Sequence, residues 1–303
     1  MGKFKNMSEF PKVHPDDPYK IQSMLAEGSR SRVYLAEDSS QGGKLVAIKF
    51  LRPEAFSGAT VANDNLSHEA QCLGLAAHPN VVAKLGTNTN ADGQMYLVME
   101  YVKGKLLKDL LKEPLDLSII STIFLPLTHA LENSHKVGVV HADLRPDKII
   151  IELADKKVTP KLFGFGRAKF LPWSGRENSL ELPHKASLYA LQYSSSEEAM
   201  GKRCLPTSDV YSLGLIMYEA LSGQPAVTGE NELHLMTQHL SGTAQPPSVV
   251  RNDPSIKKFD EVIMQTITKE THRRFVDFAE FREALSFVAP AQSGGWLSKL
   301  FKR

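Results

Sequence analysis

The sequence predicts an α+β fold with two lobes, because strand patterns fill the first third of the chain and helix patterns fill most of the rest. Short apolar runs that alternate with polar residues indicate strands at 21–25, 33–37, 45–51 and 95–102. Turn signals at Gly42-Gly43 and Asp92-Gly93 separate these runs, and one helix pattern at 65–77 interrupts them. We therefore expect a small antiparallel sheet with one helix, followed by a mainly helical lobe.

Helix patterns define the second lobe. They lie at 106–112, 117–136, 208–222, 232–240, 256–268 and 277–287. Before the first strand, three prolines in residues 1–18 predict an extended leader that is either mobile or packed on the domain. The expected division of the chain is therefore a leader at 1–18, a first lobe with its connecting segment at 19–102, a second lobe at 103–289 and a tail at 290–303.

Composition and charge argue against several classes of protein. With 42% hydrophobic and 23% charged residues among 303, the chain has the makeup of a globular protein large enough for two lobes. Its formal net charge of +2 is too small for the basic stripe of a nucleic-acid binder, so we expect no nucleic-acid partner. Two cysteines, without a CxxC pair or a histidine cluster, argue against a zinc site or a disulfide framework.

The hydropathy pattern bears on localisation. No apolar run reaches the roughly 20 residues that span a bilayer, and the first ten residues lack a signal-peptide core. We therefore expect a cytoplasmic protein.

The most informative stretch is 141–149, HADLRPDKI, which follows an apolar run. It resembles the catalytic loop of eukaryotic-type protein kinases, whose pattern is H-R-D-L-x-x-x-N. His141 and Asp143 stand in register with that pattern, whereas Ala142 replaces its arginine and Lys148 replaces its metal-binding asparagine. The chain therefore resembles a degenerate protein kinase from about 19 to 289, and its segment SDVYSLGLIMYEALSGQPAVTGE is most similar to bacterial Ser/Thr kinases.

The resemblance implies a phosphate-binding region in the cleft between the lobes. Residues 46–49, VAIK, match a family strand whose lysine, here Lys49, meets phosphate oxygens, while Glu69 on the first helix would pair with it. The family's glycine-rich loop corresponds to 25–33, where only Gly28 of three glycines is kept. Because glycines let the backbone approach phosphate closely, the loop is expected to be a stiffer and poorer cradle.

The resemblance also implies an adenine slot. Met99 would be the gatekeeper, and backbone groups from Glu100 to Val102 would face the adenine edge. The ring would lie among Val33, Ala47 and Ile150. Together with the phosphate region, the implied nucleotide-binding residues are Gly28, Val33, Ala47, Lys49, Glu69, Met99, Glu100, Val102, Lys148 and Ile150.

Both family positions that hold magnesium are changed. The segment 161–166, KLFGFG, aligns with the family's D-F-G, and Gly164 stands in place of the aspartate. A glycine and a lysine offer no side-chain oxygen to a cation, so we predict no metal site and do not expect magnesium to bind in the usual way. Losing roughly 4 kcal/mol of transition-state stabilisation lowers a rate on the order of a thousandfold. Phosphoryl transfer is therefore predicted to be lost or very weak, while ATP stays a candidate ligand.

Lys148 supports two hypotheses. Its ammonium could take the place of magnesium and contact phosphate oxygens directly, which would permit nucleotide binding without metal. Alternatively, Lys148 could pair with Asp143 or Asp147 and block the pocket.

Asp143 is retained at the position of the family's catalytic base, where an aspartate can orient a hydroxyl group. Arg145 keeps the positive charge that follows it. Ala142 removes the guanidinium that reads a phosphorylated activation segment, and Ala190 takes the substrate-side threonine position. We therefore expect a weak or absent catalyst that is not switched by phosphorylation of segment 164–197.

Residues that hold the kinase fold together are kept. The resemblance gives Leu73, His141 and Phe165 the role of tying the lobes together. It also predicts an ion pair between Glu197 and Arg274. Finally, it assigns Asp209 to the helix position that caps the catalytic-loop backbone.

The tail at 290–303 combines a flexible joint with a short amphipathic segment. Four apolar residues would share one face of a helix, flanked by basic residues: Trp296, Leu297, Leu300 and Phe301. Such a face suits a membrane surface or a partner groove, but eight residues are too few for a stable isolated helix. The alternatives are peripheral docking and a frayed or domain-packed terminus.

The sequence as a whole predicts a pseudokinase that acts as a binding or regulatory module. Its expected partners are a nucleotide and a protein, such as an active kinase or that kinase's substrate. Two alternatives stay open. One is an active atypical transferase that uses ATP, and the other is an interaction scaffold that binds no nucleotide.

Overall fold

The computed structural model of the 303-residue chain describes residues 10–154, 157–178 and 187–288. Within these ranges the chain forms an antiparallel sheet with one long helix, followed by a mainly helical lobe. The α+β fold class predicted from the sequence is confirmed.

The sheet of the first lobe has five strands in the order β1-β2-β3-β5-β4. The strands are β1 (Tyr19–Glu27), β2 (Ser31–Asp38), β3 (Lys44–Leu51), β4 (Lys84–Thr89) and β5 (Met95–Glu100). Sequence reasoning missed β4, because its residues KLGTNT are mostly polar and exposed and show no apolar alternation. Helix α1 spans Ala59–Leu75 and so begins earlier than predicted, because its first turns lack an apolar stripe.

Strand alternation decides which residues of this sheet face the cleft. In the centre of the sheet, Lys49 pairs with Val33 on one side, and Ala47 pairs with Met99 on the other. Directly opposed residues share a face, so these four side chains lie on the same side of the sheet. The opposite face carries an aromatic and aliphatic cluster formed by Tyr34, Ala36, Val46, Ile48, Phe50, Tyr96 and Val98.

The second lobe is built around two helices that are largely buried, α3 (Leu117–Lys136) and α6 (Pro206–Ser222). Short strands lie beneath the cleft: β6 (Gly104–Leu106), β7 (Val139–Val140), β8 (Ile149–Ala154), β9 (Lys157–Leu162) and β10 (Lys169–Phe170). The other helices are α2 (Leu107–Leu110), α4 (Leu188–Leu191), α5 (Ser196–Ala199), α7 (Glu232–Ser241), α8 (Pro247–Arg251), α9 (Asp260–Thr266) and α10 (Phe278–Val288). The helix predicted at 256–268 is a 3₁₀ turn, Pro254–Phe259, that continues into α9.

Residues 10–18, which we call the strap, pack on the outer face of the sheet. Phe10 and Val13 contact the aromatic cluster there, and Pro18 accepts a hydrogen bond from Ser39 N at 2.9 Å. The leader was predicted to be either mobile or packed on the domain, and residues 10–18 are packed.

The amphipathic tail predicted around Trp296, Leu297, Leu300 and Phe301 lies outside the described residues. Among the helices that the structure does describe, none is both long enough and apolar enough to cross a membrane.

A buried ion pair joins the end of the activation segment to the far side of the second lobe. Arg274 Nη1 and Nη2 donate to the two carboxylate oxygens of Glu197 at 2.8 and 2.9 Å. Burial alone would raise the pKa of Glu197, but the hydrogen bonds and charge of Arg274, together with bonds from the backbone and Ser196, outweigh it and lower that pKa. Arg274 Nε also donates to the carbonyl of Thr268 at 2.7 Å, so the pair fixes three segments at once.

Arg274→Ala should lower the free energy of unfolding by about 3–5 kcal/mol, because Glu197 would stay buried without its cation. Arg282→Ala is the control. It removes a partly exposed pair with Glu132, 2.6 Å apart, and should cost about 1 kcal/mol or less. Urea denaturation of both variants measures the difference, and equal losses would contradict the structural role of the Glu197 pair.

Candidate functional site

Hydrogen bonds to one buried carboxylate hold the backbone of the catalytic loop in place. Asp209, on α6, accepts hydrogen bonds from the amides of His141 and Ala142 at 2.8 and 2.9 Å, and its Oδ2 atom lies 2.8 Å from His135 Nε2. Ala142 has a φ of 55°, a left-handed conformation that costs a non-glycine residue energy. The two amide bonds hold the loop in this strained shape and so fix where Asp143 and Lys148 lie.

His141 connects the catalytic loop to the segment that contains Gly164. Its ring packs edge-on against Phe165 with centroids 4.7 Å apart, and its Nε2 atom lies 3.2 Å from the carbonyl of Phe163. Burial lowers the pKa of His141, which favours the neutral ring. Of the three residues expected to tie the lobes, His141 and Phe165 are in contact, and Leu73 on α1 is buried in the same extended hydrophobic core as Phe165.

An ion pair fixes α1 against the sheet. Lys49 Nζ lies 2.6 Å from both carboxylate oxygens of Glu69, and both side chains are largely buried. Gly166 makes the pair possible, since a Cβ atom there would lie 2.9 Å from Glu69 Oε2. His68, the neighbour of Glu69, bonds the carbonyl of Ala168 at 2.8 Å through Nε2. The helix is thus held inward by both lobes.

Three of the four residues expected around adenine share the cleft-facing side of the sheet, namely Val33, Ala47 and Met99, while Ile150 lies on β8 of the second lobe. Ala47 and Met99 are buried opposite each other on β3 and β5, while Val33 and Ile150 are half-buried. At the connecting segment, the amide of Glu100 donates to Ala83 and its carboxylate pairs with Lys161 at 2.6 Å.

Two residues after Glu100, the backbone of Val102 has unused polar groups among the described residues. Within the part of the chain that the structure describes, the backbone of Val102 makes no hydrogen bond. Its amide and carbonyl therefore have no backbone partner among the described residues, and the same holds for its neighbour Tyr101.

A cavity of about 830 Å³ lies between the loop that joins β1 and β2, the Lys49–Glu69 pair and the catalytic loop, and none of the apolar residues expected around adenine lines it. Its rim includes Gly28 of the loop between β1 and β2, whose amide donates to Ser31 at 2.8 Å. Opposite charges alternate along its walls. The cations are Arg30, Lys49, Arg145, Lys148 and Arg167, and the carboxylates are Glu69, Asp143, Asp147, Glu230 and Glu232.

The side chain of Lys148 fills the space beside Gly164. A Cβ atom on Gly164 would lie 2.8 Å from Lys148 Cδ and 3.3 Å from its Nζ. Gly164 also has a φ of 85°, in the left-handed region. Burial lowers the pKa of the Lys148 ammonium, which the nearby carboxylate of Asp143 partly opposes. Among the described residues no carboxylate lies within 4.0 Å of Lys148 Nζ, so this cation is unpaired.

Arg145 holds the two carboxylates that were possible partners of Lys148. It pairs with Asp147 through Nε at 2.9 Å and approaches Asp143 through Nη1 at 3.4 Å. Across residues 10–154, 157–178 and 187–288, no cluster of three or more histidine, cysteine or acidic side chains could hold a metal ion. The cleft thus combines an unpaired lysine with carboxylates that are already engaged.

Comparison with known proteins identifies the family. A protein kinase domain family matches residues 19–285. The chain belongs to the protein kinase family. This confirms the family that the catalytic-loop pattern predicted.

The similar kinases are bacterial and longer than this chain. A probable serine/threonine-protein kinase of Corynebacterium efficiens is 32% identical over 281 residues, which are 90% of this chain and 41% of that protein. The serine/threonine-protein kinase PknB of Mycobacterium tuberculosis is 32% identical over 282 residues, covering 90% of this chain and 43% of that kinase. A probable serine/threonine-protein kinase PknB of Bifidobacterium longum is 30% identical over 280 residues, covering 87% and 38%. The chain spans about two fifths of the length of these relatives.

The kinase family implies ATP and magnesium as ligands. The residues of this cleft suit the nucleotide better than the metal ions. The apolar residues that share the cleft-facing side of the sheet, the backbone of Val102, which has no partner among the described residues, and the cation Lys49 fit a nucleotide. A magnesium pair does not fit as well, because Gly164 supplies no ligand and the chain of Lys148 fills the volume that an aspartate would need.

One charged residue near the site escaped sequence reasoning. Glu198 lies beneath the activation segment beside Ala142 and Arg167, and all three line two small cavities of about 190 and 400 Å³. Its Oε2 atom accepts from Ser195 N at 2.8 Å in a capping box that begins α5. The Ser-x-x-Glu spacing could have revealed this cap, but not the burial. Glu198 is half-buried, and the desolvation of its carboxylate raises its pKa to about 7, although the hydrogen bond from Ser195 N and the charge of Arg167 oppose the rise.

Glu198 should make stability depend on pH near neutrality. Its pKa is 4.5 in an unperturbed chain and about 7 when folded, so the folded state binds the extra proton between these values. Stability should therefore fall as pH rises through this window, by on the order of 1–3 kcal/mol, and Glu198→Gln should abolish that part of the fall.

Urea denaturation of wild type and Glu198→Gln from pH 4.5 to 8 measures this difference. Glu280→Gln serves as the control, because it changes an exposed carboxyl that accepts a similar backbone bond from Val276 at 2.7 Å. A parallel pH dependence in wild type and Glu198→Gln would contradict the half-buried position of Glu198.

Proposed function

We propose that this protein is a pseudokinase, a binding or regulatory module that takes a nucleotide without a metal ion and has little or no phosphoryl-transfer activity. The main support for this proposal is that the Lys148 side chain occupies the space in which a side chain at position 164 would lie. It puts an unpaired ammonium where the family places a metal and, at the same time, removes the room for a metal ligand. A partner protein, such as an active kinase or its substrate, would read the liganded state.

The proposed nucleotide would be held by three groups of this chain. The amide and carbonyl of Val102 would bind the adenine edge, and Val33, Ala47, Met99 and Ile150 would enclose the ring. Lys49 is already oriented by Glu69 at 2.6 Å and would face phosphate oxygens. Lys148 would add a second cation, and a phosphate beside it would restore the protonated form that burial disfavours.

The same arrangement explains why phosphoryl transfer would be weak. Asp143 could orient a hydroxyl group, but its carboxylate shares the guanidinium of Arg145 at 3.4 Å. Magnesium, when bound in this family, neutralises the charge that develops on the transferred phosphoryl group. A lysine supplies one positive charge in place of two divalent ions, so less of that charge is neutralised.

An active atypical transferase is the second candidate, and one observation favours it. The Lys49–Glu69 pair is formed and Asp143 lines the cleft, an arrangement that active kinases require. A phosphotransfer assay with a generic protein substrate separates the two proposals. Turnover on the order of 1 s⁻¹ or faster would favour the enzyme.

ATP should stabilise the wild-type protein in the presence of EDTA at least as strongly as in the presence of magnesium or manganese. A ligand at a hundredfold excess over its Kd adds about 2.7 kcal/mol of stability, which a thermal-shift titration detects readily. Lys148→Met keeps the aliphatic chain and removes the charge, so ATP should bind about tenfold or more weakly to it.

Lys112→Met is the control for that titration, since Lys112 is exposed and lies outside the cleft residues. A shift that needs metal would support the transferase, and no shift in any condition would support a scaffold that binds no nucleotide. Tighter ATP binding by Lys148→Met than by wild type would mean that Lys148 blocks the pocket.

The double change Lys148→Asn, Gly164→Asp should create a metal-dependent nucleotide site, because it clears the space and supplies both family ligands. Gly164→Asp alone should not, since its Cβ would lie 2.8 Å from Lys148 Cδ and 3.3 Å from Nζ, and the new carboxylate would pair with the Lys148 ammonium instead of a metal ion. Because the lysine side chain can shift, the main cost is the left-handed φ of 85°, which should lower the free energy of unfolding by about 1–2 kcal/mol. Calorimetric titration with ATP and manganese, together with urea denaturation, tests both variants. An equal manganese response in the single and double variants would contradict the contact.

A further inference from the structure

The strap, residues 10–18, lies outside the kinase domain match, which begins at residue 19, and nothing in the proposed chemistry uses it. Its apolar side chains seat on the outer face of the first-lobe sheet. Phe10 contacts Tyr34 edge-on at 5.7 Å, and Tyr34, Phe50 and Tyr96 continue as a row of rings with centroids 6.0 and 5.3 Å apart. The strap thus closes a second, smaller core on the side of the sheet that faces away from the cleft.

The polar contacts of the strap converge on the beginning of β5 and on the turn before it. His14 N donates to the hydroxyl of Tyr96 at 3.0 Å, and that hydroxyl donates to Asp17. Burial and the bond to Asp17 raise the pKa of Tyr96, so the hydroxyl keeps the proton that it donates. The carbonyl of Lys12 accepts from Asn90 Nδ2 at 3.0 Å.

Asn90 organises the turn between β4 and β5. It is buried, and its Oδ1 atom accepts from the amides of Asp92 and Gln94 at 3.1 and 2.9 Å. Its own amide donates to Gln94, and Gly93 donates back to its carbonyl, both at 3.0 Å. One side chain therefore connects the strap to the shape of the turn.

The turn between β4 and β5 is hydrogen-bonded to helix α1. Asn63, near the start of α1, donates through Nδ2 to the carbonyl of Gly93 at 2.8 Å and accepts from Met95 N at 2.9 Å. Glu69 follows six residues later, about 9 Å along the helix axis, and pairs with Lys49. Contacts therefore run without a break from Lys12 through Asn90, Gly93 and Asn63 to the ion pair in the cleft.

We propose that the strap is a positioning element for α1. Through Asn90 and Asn63 it holds the helix inward and keeps the Lys49–Glu69 pair formed before any ligand binds. Releasing the strap frees the turn and the first part of α1. Its effect on nucleotide affinity rests on the proposed nucleotide site, whereas its effect on the helix does not.

The test is hydrogen exchange on the ligand-free full chain. Phe10→Ser, Val13→Ser releases the strap and should speed amide exchange in residues 90–95 and 59–69 by about fivefold, the factor that one net hydrogen bond confers. Tyr96→Phe is the milder release, because it keeps the ring in the sheet and removes only the hydroxyl. Gln41→Ala is the matched control. It removes a 2.8 Å bond to Asp38 at another turn of the same lobe and should leave α1 unchanged.

A double-mutant cycle with Asn63→Ala distinguishes positioning from general loosening of the lobe. Asn63→Ala should reproduce the faster exchange of α1, and adding the strap release should then change α1 no further. Additive effects on α1, or faster exchange confined to β1 and β2, would overturn the proposal.

Nucleotide titration of the same variants provides the second readout. Strap release and Asn63→Ala should each weaken ATP binding by about 2- to 30-fold, again without adding. If the wild-type protein binds no nucleotide, the proposed nucleotide site is wrong. The hydrogen-exchange result then still tests whether the strap positions α1. Faster exchange of α1 with unchanged ATP affinity would overturn the link from the strap to the cleft.

Discussion

The carboxylate of Asp209 determines the shape of the cleft floor. By accepting the amides of His141 and Ala142 at 2.8 and 2.9 Å, it holds a backbone in which Ala142 has a left-handed φ of 55°. That backbone directs Asp143 and Lys148 into the cleft and brings the His141 ring against Phe165. The kinase fold supplies this constraint whether or not the chemistry survives. This explains why Asp209 and His141, which fix the shape of the loop, match the kinase pattern, whereas Lys148 and Gly164 at the family's metal-binding positions do not.

The two departures at the metal positions are physically coupled. Lys148 needs the volume that a side chain at position 164 would occupy, and Gly164 has none. An aspartate at 164 would require the Lys148 side chain to move and would then pair with its ammonium, and a glycine beside an asparagine at 148 would supply only one of the two family ligands. In the proposed function, the pair would substitute a monovalent cation for bound divalent ions. Such a site would favour binding of a phosphate chain over stabilising the extra charge of its transfer, which would distinguish a sensor of nucleotide from a kinase.

Sequence reasoning succeeded where periodicity or a family pattern was present. Helix α3 has the predicted bounds, Leu117–Lys136, because its apolar stripe is continuous, and Lys49 and Glu69 were paired by register with the family. It failed at β4, whose residues are mostly exposed, and at Glu198, whose burial follows from tertiary packing. The contact of Lys148 with Gly164 and the path from the strap to Asn63 also depend on residues distant in sequence. Polar side chains such as Asn63 carry no periodic signal, so only three-dimensional structure reveals them.

The most direct test of the central claim is the position of manganese in crystals grown with ATP and a manganese salt, located by anomalous scattering. The triphosphate should lie with an oxygen within hydrogen-bond distance of Lys148 Nζ, and no anomalous peak should appear between Gly164, Lys148 and the phosphates. A manganese ion bridging Asp143 or Asp147 to the phosphates, with the Lys148 side chain swung away from Gly164, would contradict the claim and support a metal-dependent enzyme.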